Sequence, residues 1–571
     1  MSLSPRWRVV LLSLLLTAGP AFAADRPAQA PAVASKVQKP GHAAIASANF
    51  LATNAGLEVL AKGGNAFDAA VAVASTLSVV EPESSGLGGG FMAVLRRASD
   101  GREVFIDARE VAPAAVDPKD YLNPDGSPNR DAALVGPLSA GIPGEPAGLA
   151  WLSEHYGKLP LATSLAPAIR TARDGFEPDS RLRHAIAERA DDLRRWPASA
   201  AKYLVGGKAP AEGTLWRDPD QARTLQILAR QGHEGFYQGE VAKKLVSAVR
   251  AAGGNWTEAD LAGYRVKERA PISIDYRGYR VVTAPPPSSG GVAIAEILNI
   301  LRGVEMDKLD HAQRVHYVIE AMRRAFRDHN DYLGDPDFVK MPLDMLLSPF
   351  YADGLRQSIL PDQATPSSML PTSGAHDPGP HTTHFSIIDK DGNMIAVTST
   401  VNYTLGSTFV AAGTGVLLND EMDDFALVPG KPNVYGLLGS KANAPVGGKR
   451  MLSSMSPSLV LGRDRTAVIG SPGGSTIITQ VLEGILAFID GKDASAIVAQ
   501  KRFHHQFLPD RVDVEEGVFD AATTRELERM GYSLHPRSPW GFMNVVTWDH
   551  RSNALDAASD PRRPSGLGKV Q

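Results

Sequence analysis

Two threonines at the ends of a predicted β-hairpin could supply a nucleophile. β-forming residues crowd both sides of Asp391-Gly392, a pattern typical of a hairpin with a two-residue turn. Such a turn would place Thr400 opposite Thr383, the neighbour of Thr382. Cross-strand neighbours lie about 5 Å apart. The Thr400 hydroxyl is therefore expected close to Thr382, at the start of the first strand.

The segment before Thr382 is suited to cleavage. Residues 361–381 contain five prolines together with Gly, Ser and Asp, which predicts an exposed, flexible loop. A cut before Thr382 would create an N-terminal threonine whose α-amine, with a pKa of about 7.7–8.0, can activate its own hydroxyl. The pattern alone leaves an alternative open, because threonines are also ordinary strand residues.

Composition excludes several other chemistries. The chain has no cysteine, which rules out a thiolate nucleophile, a disulfide framework and cysteine-based metal sites. Its 59 basic and 63 acidic residues give a net charge of −4, so nucleic acid is not an expected partner. The chain contains no G-x-S-x-G motif, which argues against an ordinary serine hydrolase. The adjacent pair His504-His505 is expected to be structural, because neighbouring side chains diverge, and no metal site is predicted.

Chain organisation begins with an export signal. Residues 1–23 combine two arginines, an apolar run and Ala-Phe-Ala, which predicts a cleaved signal peptide. The mature protein is then expected to be secreted, or periplasmic in a Gram-negative bacterium, with no membrane association. Residues 24–40 are expected to be a disordered lead-in.

The length of 571 residues by itself predicts three or four domains. Periodicity predicts helices over 65–80, 145–156, 161–175, 218–232, 238–252 and 311–329.

A series of ordered motifs resembles one enzyme family. The block that begins at Thr382, TTHFS followed by DKDGNMIAVTSTVN, is similar to the start of the small subunit of γ-glutamyltranspeptidases, which are N-terminal-nucleophile hydrolases. The similarity extends from about residue 41 to 563. Further matching motifs are DARE (107–110), LLNDEMDDF (417–425), PNVY (432–435), LSSMSP (452–457), GSPGGS (470–475), RFHH (502–505) and ASDPR (558–562).

The resemblance implies a fold and a maturation step. The expected fold is α+β, a four-layer αββα sandwich in which two stacked antiparallel sheets lie between helices. Cleavage between His381 and Thr382 would give a large subunit, 24–381, of which 41–381 follows the lead-in, and a small subunit, 382–571. Both subunits would remain together as one domain, so the resemblance replaces the domain count that length alone suggests.

The resemblance also implies a role for each matching residue. Thr382 would be the nucleophile, with Thr400 orienting its hydroxyl, and the Gly473 and Gly474 amides would form the oxyanion hole. The expected donors to the substrate's α-carboxylate are Arg109, Ser453 and Ser454. The expected acceptors for its ammonium are Asp424, Glu421 and Asn402; at position 421 some relatives carry glutamine. Tyr435 would belong to a lid, residues 429–450, whose presence favours small substrates.

The implied reaction is acyl transfer without a cofactor. The γ-glutamyl group of glutathione or another γ-glutamyl compound would form an ester with Thr382 and then pass to water, an amino acid or a dipeptide. One alternative is a glutaryl-type cephalosporin acylase of the same fold, although the complete ammonium site argues against it. The other is an inactive, unprocessed binding protein.

Overall fold

A computed structural model describes residues 38–370 and 382–571. The predicted signal peptide, most of the predicted lead-in and His381 lie outside these ranges. The first part of the loop predicted to be flexible is anchored. Ala364 N–H donates to Met530 O at 2.8 Å, and the buried Ser367 donates through its hydroxyl to Phe507 O at 2.6 Å. Residues 39–571 belong to one compact unit.

The strands alternate along the chain with helices. In chain order they are β1 (Ala44–Ser47), β2 (Gly90–Arg96), β3 (Glu103–Ala108), β4 (Lys267–Arg269), β5 (Ile272–Tyr276), β6 (Tyr279–Thr283), β7 (Thr383–Ile388), β8 (Met394–Thr400), β9 (Val410–Ala411), β10 (Val416–Leu417), β11 (Ser458–Leu461), β12 (Arg465–Gly470), β13 (Phe503–His504), β14 (Val512–Glu515), β15 (Leu534–Arg537), β16 (Asn544–Asp549), β17 (Ala554–Ser559) and β18 (Leu567–Val570).

Two antiparallel sheets form the centre of the fold. The first has the strand order β18-β1-β7-β8-β2-β3-β4, and the second has the order β17-β16-β12-β11-β6-β5. The strands before residue 371, β1 to β6, and those after residue 381, β7 to β18, both contribute to each of the two sheets. A cut before Thr382 would therefore leave two chains held together by shared sheets.

The α-helices cover the outer faces of these sheets. In chain order they are α1 (Phe50–Ala61), α2 (Ala66–Val80), α3 (Arg130–Leu134), α4 (Glu145–Tyr156), α5 (Leu161–Asp174), α6 (Ser180–Glu188), α7 (Ala190–Arg194), α8 (Pro197–Tyr203), α9 (Pro219–Gln231), α10 (His233–Tyr237), α11 (Gly239–Ala251), α12 (Glu258–Gly263), α13 (Gly290–Arg302), α14 (His311–Tyr332), α15 (Leu343–Leu346), α16 (Pro349–Gln357), α17 (Ile477–Ile489), α18 (Ala494–Ala499) and α19 (Ala521–Arg529).

The predicted helices are all present. Asn65 caps α2 because its side-chain oxygen accepts from the Phe67 and Asp68 amides, and the Asp68 carboxylate accepts from the Asn65 amide. These bonds satisfy amides that have no partner inside the helix. The largest boundary difference is at α14, which continues to Tyr332.

The core consists of two main layers of apolar side chains. Along β2, Phe91, Ala93 and Leu95 pack into the cluster shared with α2 and α4, whereas Met92 and Val94 pack toward the second sheet and α13. This alternation is the period of a strand with both faces buried. The order is therefore helix, sheet, sheet, helix, and the expected αββα sandwich is confirmed.

Two kinds of feature are absent from residues 38–370 and 382–571. No helix there is both long and apolar enough to cross a membrane. No group of three His, Asp or Glu side chains in the same residues is arranged to hold a metal ion.

Candidate active site

Thr382 directly precedes the first residue of β7 and lies beside Thr400, the last residue of β8. Its hydroxyl donates to Thr400 Oγ1 at 3.4 Å, and Thr400 Oγ1 also accepts the Asn402 N–H at 2.8 Å. Both threonines are buried. The distance is long for a hydroxyl pair, which is common before a substrate completes a site. The hairpin therefore brings together the two threonines that the sequence singled out.

The predicted hairpin register is wrong by one residue. Thr383 pairs with Ser399, and the last pair is Ile388 with Met394. The turn is therefore a five-residue loop, Asp389 to Asn393, and not a two-residue turn. The Asp389 carboxylate closes this loop by accepting from the Asp391 and Asn393 amides at 2.9 and 3.0 Å. The correction places Thr382 level with Thr400.

Arg109 follows β3 and is held in place at its backbone. Its N–H donates to Asp107 Oδ1 at 3.1 Å, and its carbonyl accepts from Tyr264 Oη at 2.8 Å. The guanidinium is buried and contacts acidic side chains. Nη1 lies 2.6 Å from Glu421 Oε2, and Nη2 lies 2.5 Å from Asp424 Oδ2. The side chains expected to bind a carboxylate and an ammonium thus pair with each other.

A third acid completes this cluster and shifts its protonation. Glu110 Oε2 lies 3.4 Å from Arg109 Nη1. Burial raises the pKa of Glu110 to about 7, and it also raises the pKa values of Glu421 and Asp424. Burial acts to lower the pKa of Arg109, but the surrounding carboxylates have the larger combined effect, and the pKa of Arg109 is raised. One permanent cation therefore faces three acids that ionise less readily than they would in water.

Ser453 and Ser454 lie beside Arg109, on the segment that precedes β11. Ser453 Oγ accepts the Met455 N–H at 3.1 Å, and its carbonyl accepts from the Ser289 N–H at 2.7 Å. Because the Ser453 oxygen is an acceptor in this contact, its hydroxyl hydrogen can be donated to a ligand. Asn402 donates through Nδ2 to Asp420 O at 2.9 Å, so its amide oxygen is the atom that can accept from an ammonium.

The paired glycines begin the turn before α17. Gly473 has a φ of 145° and Gly474 a φ of 57°, conformations that favour glycine. A Cβ on Gly474 would lie 2.5 Å from Tyr435 Cδ1. A short 3-10 turn, Gly474–Thr476, leads directly into α17. Backbone amides at such a helix start point outward without partners inside the helix, and the helix dipole favours negative charge there.

The predicted lid covers these groups. Tyr435 Oη donates to Asn402 O at 2.7 Å, and Asn433 Nδ2 donates to Asp424 Oδ1 at 3.1 Å. The Val434 N–H donates to Asp423 Oδ2 at 2.8 Å. Tyr435 is buried. The lid is therefore fastened to the same acidic segment that pairs with Arg109.

One pocket is lined by most of the predicted site residues. They are Arg109, Thr382, Thr400, Asn402, Glu421, Asp424, Tyr435, Ser453, Ser454 and Gly474. Gly473 is adjacent in sequence but is not among the lining residues. The pocket thus combines a hydroxyl, a backbone amide next to a helix start, and charges of both signs.

Comparison with known proteins assigns the family. The γ-glutamyltranspeptidase family model matches residues 52–570. The chain belongs to the γ-glutamyltranspeptidase family. It is 43% identical over 537 residues to the glutathione hydrolase proenzyme of Pseudomonas sp. (strain A14), covering 92% of this chain and 93% of that protein. It is 39% identical over 581 residues to the corresponding proenzyme of Escherichia coli (strain K12), covering 98% of each.

A solved structure supports the fold and the enzyme class. Cephalosporin acylase from Bacillus halodurans is similar with a TM-score of 0.82 and 29% identity, over 96% of this chain and 99% of that chain. This γ-glutamyltranspeptidase family member is therefore an enzyme with the N-terminal-nucleophile hydrolase fold, which confirms the fold class and the family expected from the motifs.

Four polar pocket residues of this family member had no individual role predicted: His329, Lys431, Asn433 and Asn443. Asn433 contacts Asp424, and it lies inside the PNVY motif, which could have indicated it. Lys431 and Asn443 lie in the predicted lid, whereas His329 belongs to none of the motifs. The two adjacent histidines, in contrast, have ordinary structural contacts. His504 Nδ1 lies 2.9 Å from Thr479 Oγ1, and His505 Nδ1 accepts the Phe507 N–H at 3.0 Å.

Proposed function

We propose that this enzyme transfers the γ-glutamyl group of glutathione and related γ-glutamyl amides to water or to an amino acid or dipeptide, with Thr382 as nucleophile. One observation carries the proposal. The Thr382 hydroxyl faces the same pocket as the paired charges of Arg109 and Asp424. A γ-glutamyl compound needs this combination, because its head carries a carboxylate and an ammonium on one carbon while the reacting carbonyl lies at the other end.

Maturation precedes this chemistry in the proposal. Thr382 Oγ attacks the carbonyl carbon of His381, the peptide nitrogen leaves as the Thr382 α-amine, and water hydrolyses the resulting ester. The products are the two subunits 24–381 and 382–571, after removal of a signal peptide at 1–23. The name proenzyme of both relatives supports processing. Export to the periplasm or the medium is part of the same proposal.

In the proposed complex, the ion pair between Arg109 and Asp424 is replaced by contacts of each side chain with the γ-glutamyl head. Arg109 and the hydroxyls of Ser453 and Ser454 bind the α-carboxylate, because a guanidinium grips a carboxylate with two donors. Asp424, with help from Glu421 and the Asn402 amide oxygen, accepts hydrogen bonds from the α-ammonium. The closed lid keeps water from these charges, which strengthens each contact.

The acyl transfer then proceeds at Thr382. The α-amine takes the hydroxyl proton as Oγ attacks the γ-carbonyl carbon, and Thr400 holds the hydroxyl in line. The Gly474 amide, assisted by Gly473, donates to the oxyanion, a contribution worth about 10²–10³ in rate for one donor. The protonated α-amine of Thr382 then gives this proton to the leaving amine, and the γ-glutamyl group remains bound to Thr382 Oγ as an ester. Water or an acceptor amine cleaves that ester by the same steps in reverse.

The similarity to a cephalosporin acylase favours one second candidate, deacylation of a glutaryl amide. A glutaryl group has the carboxylate but lacks the ammonium. It would leave Asp424 and Glu421 without a cation in a buried pocket, which is unfavourable. The acidic pair therefore supports the γ-glutamyl reaction as the main activity.

The proposal is tested by the N-termini and activity of three proteins. The wild type should give two chains, one of which begins at Thr382, and should hydrolyse γ-glutamyl-4-nitroanilide. Thr382→Ala should remain a single chain without turnover, because it has no hydroxyl. Thr382→Ser, which keeps a hydroxyl, should mature and retain part of the activity. Normal maturation of Thr382→Ala would show that the nucleophile lies elsewhere.

A further inference from the structure

The active-site pocket extends beyond the residues that bind the glutamyl head. Its remaining lining includes Lys431 from the lid, His329 from α14, and the apolar side chains of Leu437, Met455 and Ile477. None of these has a role in the mechanism above. A γ-glutamyl amide has a second part, attached to the γ-carbonyl, and this part must also contact the pocket during the reaction.

Lys431 provides a cation without a partner in the described part of the chain. Its side chain is exposed, and no carboxylate of residues 38–370 or 382–571 lies within ion-pair distance of its Nζ. Lys449, another lysine of the lid, behaves differently. Lys449 Nζ donates to Ala442 O and Ala444 O at 2.6 and 2.9 Å, so it holds the lid together. Lys431 has no such structural task.

His329 provides a hydrogen-bond acceptor in the pocket wall. The residue is buried, with an exposed fraction of 3%. Nδ1 lies 3.0 Å from Asn330 Oδ1, and an amide oxygen only accepts, so Nδ1 carries the hydrogen. Burial lowers the pKa of His329 to about 4, so the ring is neutral near pH 7 and Nε2 is an acceptor. Nε2 has no hydrogen-bond partner among the described residues.

We propose that Lys431 and His329 form the subsite for the group on the far side of the γ-carbonyl, and that this group is a peptide or amino acid with a free carboxylate. Lys431 Nζ binds the carboxylate, and His329 Nε2 accepts a peptide N–H. The proposal rests on the proposed function, because it describes the second half of the same substrate. The leaving dipeptide and the incoming acceptor approach the acyl carbonyl from one side, so one subsite serves both.

The carboxylate contact is tested with two acceptors and a matched control variant. Transfer from γ-glutamyl-4-nitroanilide to glycylglycine is compared with transfer to glycylglycinamide, which lacks the carboxylate. Lys431→Met should raise the ratio of the glycylglycine KM to the glycylglycinamide KM about two- to fivefold, as expected for a solvent-exposed ion pair. Lys441→Met, an exposed lysine on the same lid that does not line the pocket, should keep the wild-type ratio.

Two results would overturn the carboxylate assignment. One is an unchanged KM ratio in Lys431→Met, which includes an equal rise for both acceptors, and the other is the same change of the ratio in Lys441→Met. A rise in the KM of the anilide donor that matches the rise for glycylglycine would place Lys431 at the glutamyl carboxylate, which also contradicts the proposal. A wild-type enzyme with no γ-glutamyl turnover would instead refute the proposed function itself.

The His329 contact is tested with glycylsarcosine, which differs from glycylglycine in lacking the peptide N–H. The wild type should prefer glycylglycine by about two- to tenfold, the range of one neutral hydrogen bond. His329→Leu should lose this preference, and His329→Gln, which keeps an acceptor oxygen, should retain part of it. An equal preference in the wild type and the Leu variant would overturn the assignment. So would a wild type that does not discriminate between the two acceptors.

Discussion

Asp424→Asn separates recognition of the substrate ammonium from the chemistry at Thr382. Asp424 Oδ2 lies 2.5 Å from Arg109 Nη2, and Oδ1 accepts from Asn433 Nδ2 at 3.1 Å. Asparagine has the same shape but no charge, and it replaces one acceptor oxygen with a donor. The variant therefore loses the charged hydrogen bond that the proposed mechanism gives to the α-ammonium, while Thr382 and the Gly474 amide are untouched.

The expected loss follows from the value of one charged hydrogen bond. Such a bond contributes about 1.5–3 kcal/mol, which corresponds to a fall of about 10- to 150-fold in kcat/KM for γ-glutamyl substrates. Glu421 and Asn402 remain, so turnover is not abolished. The ammonium is bound equally in the ground state and the transition state. The change is therefore expected mainly in KM.

The assay compares γ-glutamyl-4-nitroanilide with glutaryl-4-nitroanilide, which lacks only the α-amino group. Release of nitroaniline is followed for both donors, and gel analysis checks that Asp424→Asn is cleaved into two chains. The variant should lose activity on the γ-glutamyl donor but should keep or gain activity on the glutaryl donor, because that donor no longer leaves a buried Asp424 charge without a cation. An equal fall for both donors would refute the reasoning, because Asp424 would then act on the fold or on Thr382.

Three further changes test other parts of the site. Gly474→Ala should lower kcat about 10²–10³-fold, because its Cβ would lie 2.5 Å from Tyr435 Cδ1. Gly413→Ala controls for backbone strain, because it has a similar φ of 69° and the nearest atom to its Cβ would be Lys244 Nζ at 3.9 Å. Tyr435→Phe removes the bond to Asn402 O and should raise the donor KM about 2- to 10-fold; an unchanged KM would show that the lid closes without it. Burial raises the pKa of Glu110 to about 7, so its folded-state proton favours folding below pH 4.5 and this advantage is lost as the pH rises through 7. Denaturant unfolding of Glu110→Gln in the uncut Thr382→Ala background should therefore show a gain over the parent of up to about 3 kcal/mol between pH 5 and 8, and parallel pH curves would contradict it.

The sequence predicted the hairpin but not its register. The β-forming runs and Asp-Gly are local signals, and they place both strands correctly. The register depends on the Asp389 carboxylate, which bonds two loop amides and lengthens the turn to five residues. Such side-chain contacts to the backbone compete with standard turns, and no hydrophobic pattern records them. The segment at Ser367 illustrates the same limit, since proline content predicted flexibility where tertiary bonds fix the chain.

The candidate site was predicted residue by residue only where a family motif covered it. Arg109, Asp424 and the paired glycines lie in motifs, and the pocket brings Arg109, Asp424 and Gly474 together. Their mutual arrangement was not predictable. The motif spacing along the chain cannot tell whether Arg109 and Asp424 wait apart for a substrate or pair with each other. His329 and Lys431 reach the pocket from α14 and the lid, and only the packed structure places them on one surface.

The direct pairing of Arg109 with Asp424 and Glu421 explains how a buried, charged site can bind an amino acid head. Burying a lone charge is unfavourable, and Arg109 is paired with the acids of its own pocket. A zwitterion that enters supplies one charge of each sign. Its carboxylate takes the place of Asp424 beside Arg109, and its ammonium takes the place of Arg109 beside Asp424. Neither side chain is then left without an opposite charge. A ligand with only a carboxylate frees Asp424 from Arg109 but gives it no cation. In the proposed mechanism, preference for the γ-glutamyl head over a glutaryl group therefore follows from the charge balance of the cluster as a whole, and it does not require that either group fit the pocket poorly.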